Sequence, residues 1–427
     1  MQYQRTLGPF QGMAMTITTF IGTGLMILPA ISVSQAGSFA FYAWLITALV
    51  IIPIAFVFAL LGSKFPSASG ASHYIGRVLG AKAERAVGWL FLSIMLVGPA
   101  VAIKVAAAYL AIVFELPADQ VFNLSLITLI GMLLFSVAGL KNSANFQTAV
   151  VICLIGTVIA LLYFSFTQDQ PFESSIISLP MQYSDIETTL LAAGTIFWCF
   201  IGIEVMAHMG AEFKNPSRDF PIALLGGISI VVTLYLATVL MIIQYNVYGD
   251  DVTNSQSLAL LVGVLLGDEA RRYFALGAYL IAFSNVGVYI LGFSRMVQAM
   301  AAQRALPHYF ATLSKYGTPL RAVGFVGVIS LMSLLFAEYA DTPMSWFIEM
   351  TNGAFLLIYL LTCITAIKSL NSSLRWLSVL ATVSCIVMAT FMGKSLLFAC
   401  ISFAIALLWE YMKSQKHHIA HDEIHVQ

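Results

Sequence analysis

An all-α bundle of twelve membrane-crossing helices is the fold class this sequence predicts, and three observations predict it. Apolar residues fill 60% of the 427 positions and charged residues only 9%, with a mean hydropathy of +0.90. Soluble domains carry about 25% charged residues, so the chain reads as an integral membrane protein. Twelve long apolar runs follow one another, at about 10–34, 39–62, 87–113, 121–139, 147–167, 188–209, 221–245, 273–300, 322–337, 344–367, 375–392 and 395–412. Most approach the ~20 residues a helix needs to cross, and all exceed the ~10-residue alternating segments of a membrane barrel. Finally, with the intervals numbered alternately, sixteen lysines and arginines fall on one side. Arg271, Arg272 and Lys394 fall on the other. The positive-inside rule then puts both termini in the cytoplasm.

The first run carries Ile21-Gly22-Thr23-Gly24-Leu25 near its middle. Lipid offers no partner for a bare N–H or C=O, so a break there must be buried in protein or line a wet cavity. Taken alone, the two glycines equally suit a kink or a close helix–helix contact. With one Arg before it and no small-residue cleavage site, this run is expected to be a first span and not a removed signal peptide. The connection 63–84 is expected to form a short interfacial helix. The connection 246–272 contains an apolar piece, Leu258–Leu266, too short to cross and expected to be re-entrant or surface-lying. Only Gly393-Lys394 separates the last two runs, and the tail after Tyr411 is polar and expected to be disordered. The domain map is therefore one transmembrane domain over 1–413, with 414–427 as a cytoplasmic tail.

Run six reads Phe197-Trp198-Cys199-Phe200-Ile201-Gly202-Ile203-Glu204, with a glycine and an ionisable residue near mid-span. Breaks in runs one and six are the signature of a five-plus-five inverted repeat in a secondary transporter, here about 10–167 and 188–367, with extra helices at 375–412. Helix-end N–H groups at such breaks suit a carboxylate, and helix-end C=O groups an ammonium. A free α-amino acid carries both. A lone carboxylate in a bilayer must face a cavity, pair or be protonated, which singles out Glu204. Lys104 lies deep in run three and either pairs with an acid such as Glu204 or sits in a wet vestibule. Glu349 is a weaker candidate of the same kind. Asn285 and Tyr289 share a face of run eight, as a pocket wall or as interhelical hydrogen-bonding groups.

Several function classes are disfavoured. Net charge is zero and no basic tract is present, which argues against nucleic acid. There is no phosphate loop for ATP, and no cofactor is expected. The five cysteines (153, 199, 363, 385 and 400) lie in apolar runs without metal or redox spacing. His417, His418, His421 and His425 suit a solvated tail better than a metal site. No clustered catalytic groups point to an enzyme, and no continuous polar pore lining points to an ion channel.

Several motifs occur together in one order: Gly22-Thr23-Gly24 with Leu28-Pro29-Ala30, Pro66-Ser67-Ala68-Ser69-Gly70, Phe200-Ile201-Gly202-Ile203-Glu204, and Glu212-Phe213-Lys214-Asn215-Pro216. By these the chain resembles the amino acid–polyamine–organocation transporter family over nearly its whole length. The stretch from Phe197 to Pro221 is most similar to a bacterial branch that exports methionine and branched-chain amino acids. The resemblance implies a LeuT-like fold with discontinuous helices 1 and 6, alternating access and proton-linked efflux of L-methionine, leucine, isoleucine and valine across the cell inner membrane. An exchanger or importer of another substrate is the alternative within transport. Either a monomer or a homodimer is compatible. By position, the backbone of Gly22, Thr23 and Gly24 would hold the substrate carboxylate, and carbonyls near Trp198, Cys199, Phe200 and Ile201 the amino group. Trp198 and Tyr289 match aromatic gate positions in the family, and Glu204 an acid linked to proton sensing. Leu25, Met26, Phe200 and Ile201 are expected to surround an apolar substrate side chain. One departure stands out: proton-coupled relatives often carry a lysine in the fifth helix, and run five has none.

Overall fold

The computed structural model describes residues 7–66, 70–138, 143–167, 182–208, 213–314, 318–340 and 342–424. Among them there is no strand. An isolated parallel bridge joins Leu7 to Phe213, with the Lys214 N–H donating to the Leu7 carbonyl at 2.9 Å. Among the described residues, ten helical stretches are long and apolar enough to cross a membrane.

The chain starts with α1 (Pro9–Ile21) and α2 (Gly24–Ala36), followed by a 3-10 turn and α3 (Ala40–Lys64). The interfacial helix expected after it is α4 (Gly70–Leu79), which buries Tyr74 and Ile75 against the bundle. Ser67, Ala68 and Ser69 lie outside the described residues. Run three was expected as one helix, but it forms α5 (Ala81–Ile94) and α6 (Gly98–Val113). Pro99 is the reason: it brings no N–H to the ladder, and its ring excludes the carbonyl four residues back. Next come α7 (Val121–Ala138), α8 (Ser143–Thr167), α9 (Tyr183–Ile196) and α10 (Ile203–His208).

After α11 (Pro216–Tyr245) comes the piece expected to be re-entrant or surface-lying, which is a 16-residue helix, α12 (Asp251–Leu266). Asp250 caps it, its carboxylate accepting the Thr253 N–H at 2.7 Å, and that bond holds the carboxyl below the usual carboxylate range. Leu258, Ala259 and Leu261 are buried as α12 packs on α2 and α13 (Asp268–Ala302). Ser34 of α2 donates to Asn254 of α12 at 3.0 Å. The chain closes with α14 (Leu320–Tyr339), α15 (Met344–Ser369), α16 (Ser372–Met392) and α17 (Lys394–Ile424). Here the expectation of a disordered tail is corrected, because α17 continues helical past Tyr411 to Ile424. Once a span has nucleated the helix, each further residue adds a hydrogen bond at little cost.

Burial sorts the bundle. The α9–α10 stretch and α15 are each buried over 78% of their most apolar window, whereas α16 and α17 reach only 22%. The interior helices carry the small residues that close approach needs. At Gly353 of α15, a Cβ would lie 2.3 Å from the Ser395 carbonyl oxygen at the start of α17. That obstacle is backbone and cannot rotate away. Gly353→Ala should therefore destabilise the protein by about 1–3 kcal/mol through overpacking. Gly324→Ala meets nothing within 4 Å and should be neutral or slightly stabilising; thermal unfolding of the detergent-solubilised variants, followed by size-exclusion chromatography, checks the contrast.

Candidate functional site

The first break is built by Gly22 and Thr23. Gly22 closes α1 with φ 6° and ψ −130°, outside the helical well, and α2 restarts at Gly24. The first N–H groups of α2 have no partner within the helix. The carbonyls of the break are paired from outside. Asn285 Nδ2 donates to the Thr18 carbonyl at 3.0 Å, the Tyr235 hydroxyl to the Phe20 carbonyl at 2.7 Å, and the Tyr109 hydroxyl to the Met26 carbonyl at 3.3 Å. These partners stand so close that side chains are excluded: a Cβ on Gly22 would lie 2.9 Å from Asn285 Oδ1, and one on Gly24 2.9 Å from Cys199 Sγ.

The second break follows the same rule. After α9 the chain tightens into a 3-10 turn, Phe197–Phe200, then extends at Ile201 with ψ 129°. Gly202 takes φ +134°, and α10 begins at Ile203. Asn352 Nδ2 donates to the carbonyls of Gly194 at 3.0 Å and Thr195 at 3.1 Å. The Thr47 hydroxyl donates to the Ala43 carbonyl of its own helix at 2.8 Å and lies 3.2 Å from the Ala193 carbonyl. Tyr359 lies 3.3 Å from the Phe200 carbonyl and donates to Glu204 Oε2 at 2.5 Å. Its one proton serves the shorter contact.

Glu204 is 2% exposed. Its Oε2 also accepts the Gly202 N–H at 3.1 Å, while Oε1 has no protein partner. Among the described residues it forms no ion pair. Lys104 is not its partner: the ammonium pairs with Glu338 of α14 at 2.8 Å. Lys104 therefore finds an acid as anticipated, but a different one, and it does not line the cavity. Glu349 is exposed at the start of α15. Glu212 falls outside the described residues.

Between the breaks lies a cavity of about 90 Å³, well below the ~300–1,000 Å³ of clefts that take drug-sized ligands. Gly22, Thr23, Gly24, Trp198, Ile201, Asn285 and Tyr289 line it, as the sequence suggested. Cys199 and Phe200 do not. Cys199 Sγ backs onto Gly24, and the Phe200 ring packs against Phe20, Trp44 and Tyr235. Leu25 and Met26 are buried in the bundle and also stand away from the cavity. Its apolar wall comes instead from Ile94 and Met95 before α6, Ile290 and Phe293 of α13, and Phe355 of α15. These were not singled out in the sequence, because an apolar residue in an apolar run carries no mark of facing a cavity. Tyr235 and Tyr359 were missed for the same reason. No Lys, Arg, Asp or Glu lines the cavity. Among the described residues there is no group of His, Cys or carboxylates that could hold a metal ion.

A family model described as amino acid permease matches residues 7–421. The chain is 32% identical over 414 residues to the L-methionine/branched-chain amino acid exporter of Escherichia coli (strain K12), covering 97% of each chain. It is 27% identical over 430 residues to an uncharacterized amino acid permease of Bacillus subtilis (strain 168), covering 98% of this chain and 97% of that one. Among solved structures, MhsT in complex with L-phenylalanine matches with a TM-score of 0.66 at 13% identity, over 93% of this chain and 99% of that one. A manganese transporter of Eremococcus coleocola matches with a TM-score of 0.60 at 12% identity, over 95% of both chains. Likeness at such identities speaks to the fold alone.

Gly202 offers a direct test of the second break. Its φ of +134° is strained for any L side chain, and an added Cβ would lie 2.6 Å from Thr19 Cγ2 on the facing break. Gly202→Ala should abolish substrate uptake into proteoliposomes while the protein still reaches the membrane, whereas Gly156→Ala, with nothing within 4 Å, should leave uptake unchanged.

Proposed function

The chain belongs to the amino acid permease branch of the amino acid–polyamine–organocation family, and from that premise we propose that it is a secondary transporter exporting neutral hydrophobic L-amino acids. Methionine, leucine, isoleucine and valine are the substrates, and inward proton movement drives their efflux. One observation carries the substrate class: the cavity between the breaks is lined by residues of both breaks, by apolar side chains and by uncharged polar ones such as Asn285 and Tyr289, but by no charged side chain. A charged substrate side chain would lose its hydration there without gaining a counter-charge. On this reading the N–H groups of Thr23 and Gly24 hold the substrate carboxylate. Carbonyls between Trp198 and Ile201 accept from its ammonium. Ile94, Met95, Ile290, Phe293 and Phe355 surround its side chain. Trp198 and Tyr289 are the aromatic gates.

In the same reading α1–α2 and α9–α10 are the discontinuous first and sixth of twelve spans, in two inverted repeats of five plus two further helices. Both termini face the cytoplasm of a bacterial inner membrane, an orientation that the distribution of Lys and Arg supports. The export direction is carried over from the Escherichia coli relative. Overexpression should speed the loss of radiolabelled methionine and leucine from preloaded cells, and deletion should slow it. Unchanged retention of both amino acids would sink the export reading.

Glu204 is the proposed proton site. It is the one carboxylate among the described residues buried at a break, and it touches both the Gly202 backbone and Tyr359. Glu204→Gln keeps the size and the acceptor oxygen but cannot titrate. The variant should bind methionine within about threefold of wild type while its transport loses dependence on pH. A wild-type pH profile in proteoliposomes would remove Glu204 from the coupling mechanism.

A further inference from the structure

A second cavity, of about 390 Å³, opens at one end of the bundle. There the end of α2, α9 from Thr188 to its last turn, the first turns of α15 and the α16–α17 turn come together. Its chemistry is opposite to that of the first. Glu349 and Lys394 both line it and both are exposed, and neither forms an ion pair or hydrogen bond with a described residue. Three residues beyond Glu349, on the same face of α15, Asn352 also lines the cavity. Asn352 is fully buried. Its Nδ2 is used by the carbonyls of Gly194 and Thr195, while its Oδ1 has no protein partner. That leaves a buried acceptor, which is costly unless something donates to it. Lys394 and Ser395 form the first turn of α17, so unpaired helix-end N–H groups stand beside the Lys394 ammonium.

One side of this cavity is thus an acceptor pair, Glu349 and Asn352, and the other is a cationic helix start. We propose that it is a binding site for a small zwitterion, distinct from the transport cavity. The ligand's ammonium is held by Glu349 and Asn352 Oδ1, and its anionic end by Lys394 and the first turn of α17. Both a free α-amino acid and the head group of phosphatidylethanolamine carry this pair of charges. Asn352 gives the site a mechanical connection, because the same side chain that meets the ligand holds the last-turn carbonyls of α9, directly before the second break.

The test uses the full-length protein in nanodiscs of phosphatidylglycerol alone, with tritiated L-methionine binding measured at equilibrium. Wild type should bind two molecules per chain. Glu349→Gln and Lys394→Gln should each weaken one of the two at least tenfold, with Lys394→Arg restoring it. Ala102→Trp, which fills the first cavity, should remove the other. A lipid ligand would show instead as one phosphatidylethanolamine retained in native mass spectra from mixed nanodiscs and lost in Lys394→Gln. The inference is overturned if Glu349→Gln and Lys394→Gln bind methionine like wild type and retain the same lipid. If Ala102→Trp leaves methionine binding unchanged while Lys394→Gln lowers it, the transport reading fails and the zwitterion site stands.

Discussion

Backbone groups released at mid-bundle must find partners, and this requirement organises the interior of the protein. An unpaired peptide group in hydrocarbon costs several kcal/mol, so two helix breaks without partners would outweigh a typical net stability of about 5–15 kcal/mol. The partners are side chains of other helices: Tyr109 of α6, Tyr235 of α11, Asn285 of α13 and Asn352 of α15. Each is anchored on a continuous helix. The breaks are thus held by a frame that is itself regular, which is how an irregular backbone can be both buried and well defined.

The same arrangement brings both breaks to one cavity, whose polar side chains, among them Thr19, Asn285, Tyr289 and Thr351, are all uncharged. Carbonyl oxygens accept from the supporting tyrosines and asparagines, whereas the first N–H groups of α2, which need acceptors, have none within the helix. Side chains cannot intrude, because Gly22 and Gly24 abut Asn285 and Cys199. Under the proposed function, specificity for the α-amino and α-carboxyl groups would come from helix ends, and preference among side chains from the apolar wall. Helix-end partial charges of about half an electron offer polarity without the desolvation cost of an ionised side chain.

Much of this was legible in the sequence, for reasons tied to particular residues. Helices and their borders follow from run length. The breaks follow from Gly22 and Gly24 in run one taken together with Gly202 in run six, since either run alone also suits a kink or a close helix contact. What stayed hidden was the identity of the supporting side chains. Tyr235 and Tyr359 sit among apolar residues with nothing local to distinguish them, and their meaning comes from contacts across more than 150 residues of chain. Lys104 misled in a related way: a charge deep in a run requires a partner, but which acid, Glu204 or Glu338, is a question of packing between helices. Pro99 was visible and its consequence undervalued, so one expected helix became α5 and α6.

Glu204 joins the two themes, since it supports the break and is also the acid proposed to carry the proton. Its Oε2 accepts from the Gly202 N–H and from Tyr359, and the Tyr359 oxygen lies 3.3 Å from the Phe200 carbonyl. A hydrogen bond to an ionised carboxylate is roughly twice as strong as one to a neutral acid. Gain of a proton would therefore loosen both contacts together and free the tyrosine proton to turn toward Phe200. The carbonyl of Phe200 belongs to the turn proposed to receive the substrate ammonium. In this scheme proton and substrate do not share a binding site; they act on a common tyrosine. Coupling of 1–3 kcal/mol, the usual size between linked sites, is within reach of one charge-assisted hydrogen bond made or lost, so the exchange of proton for amino acid needs no further ionisable residue in the cavity and no lysine in the fifth helix.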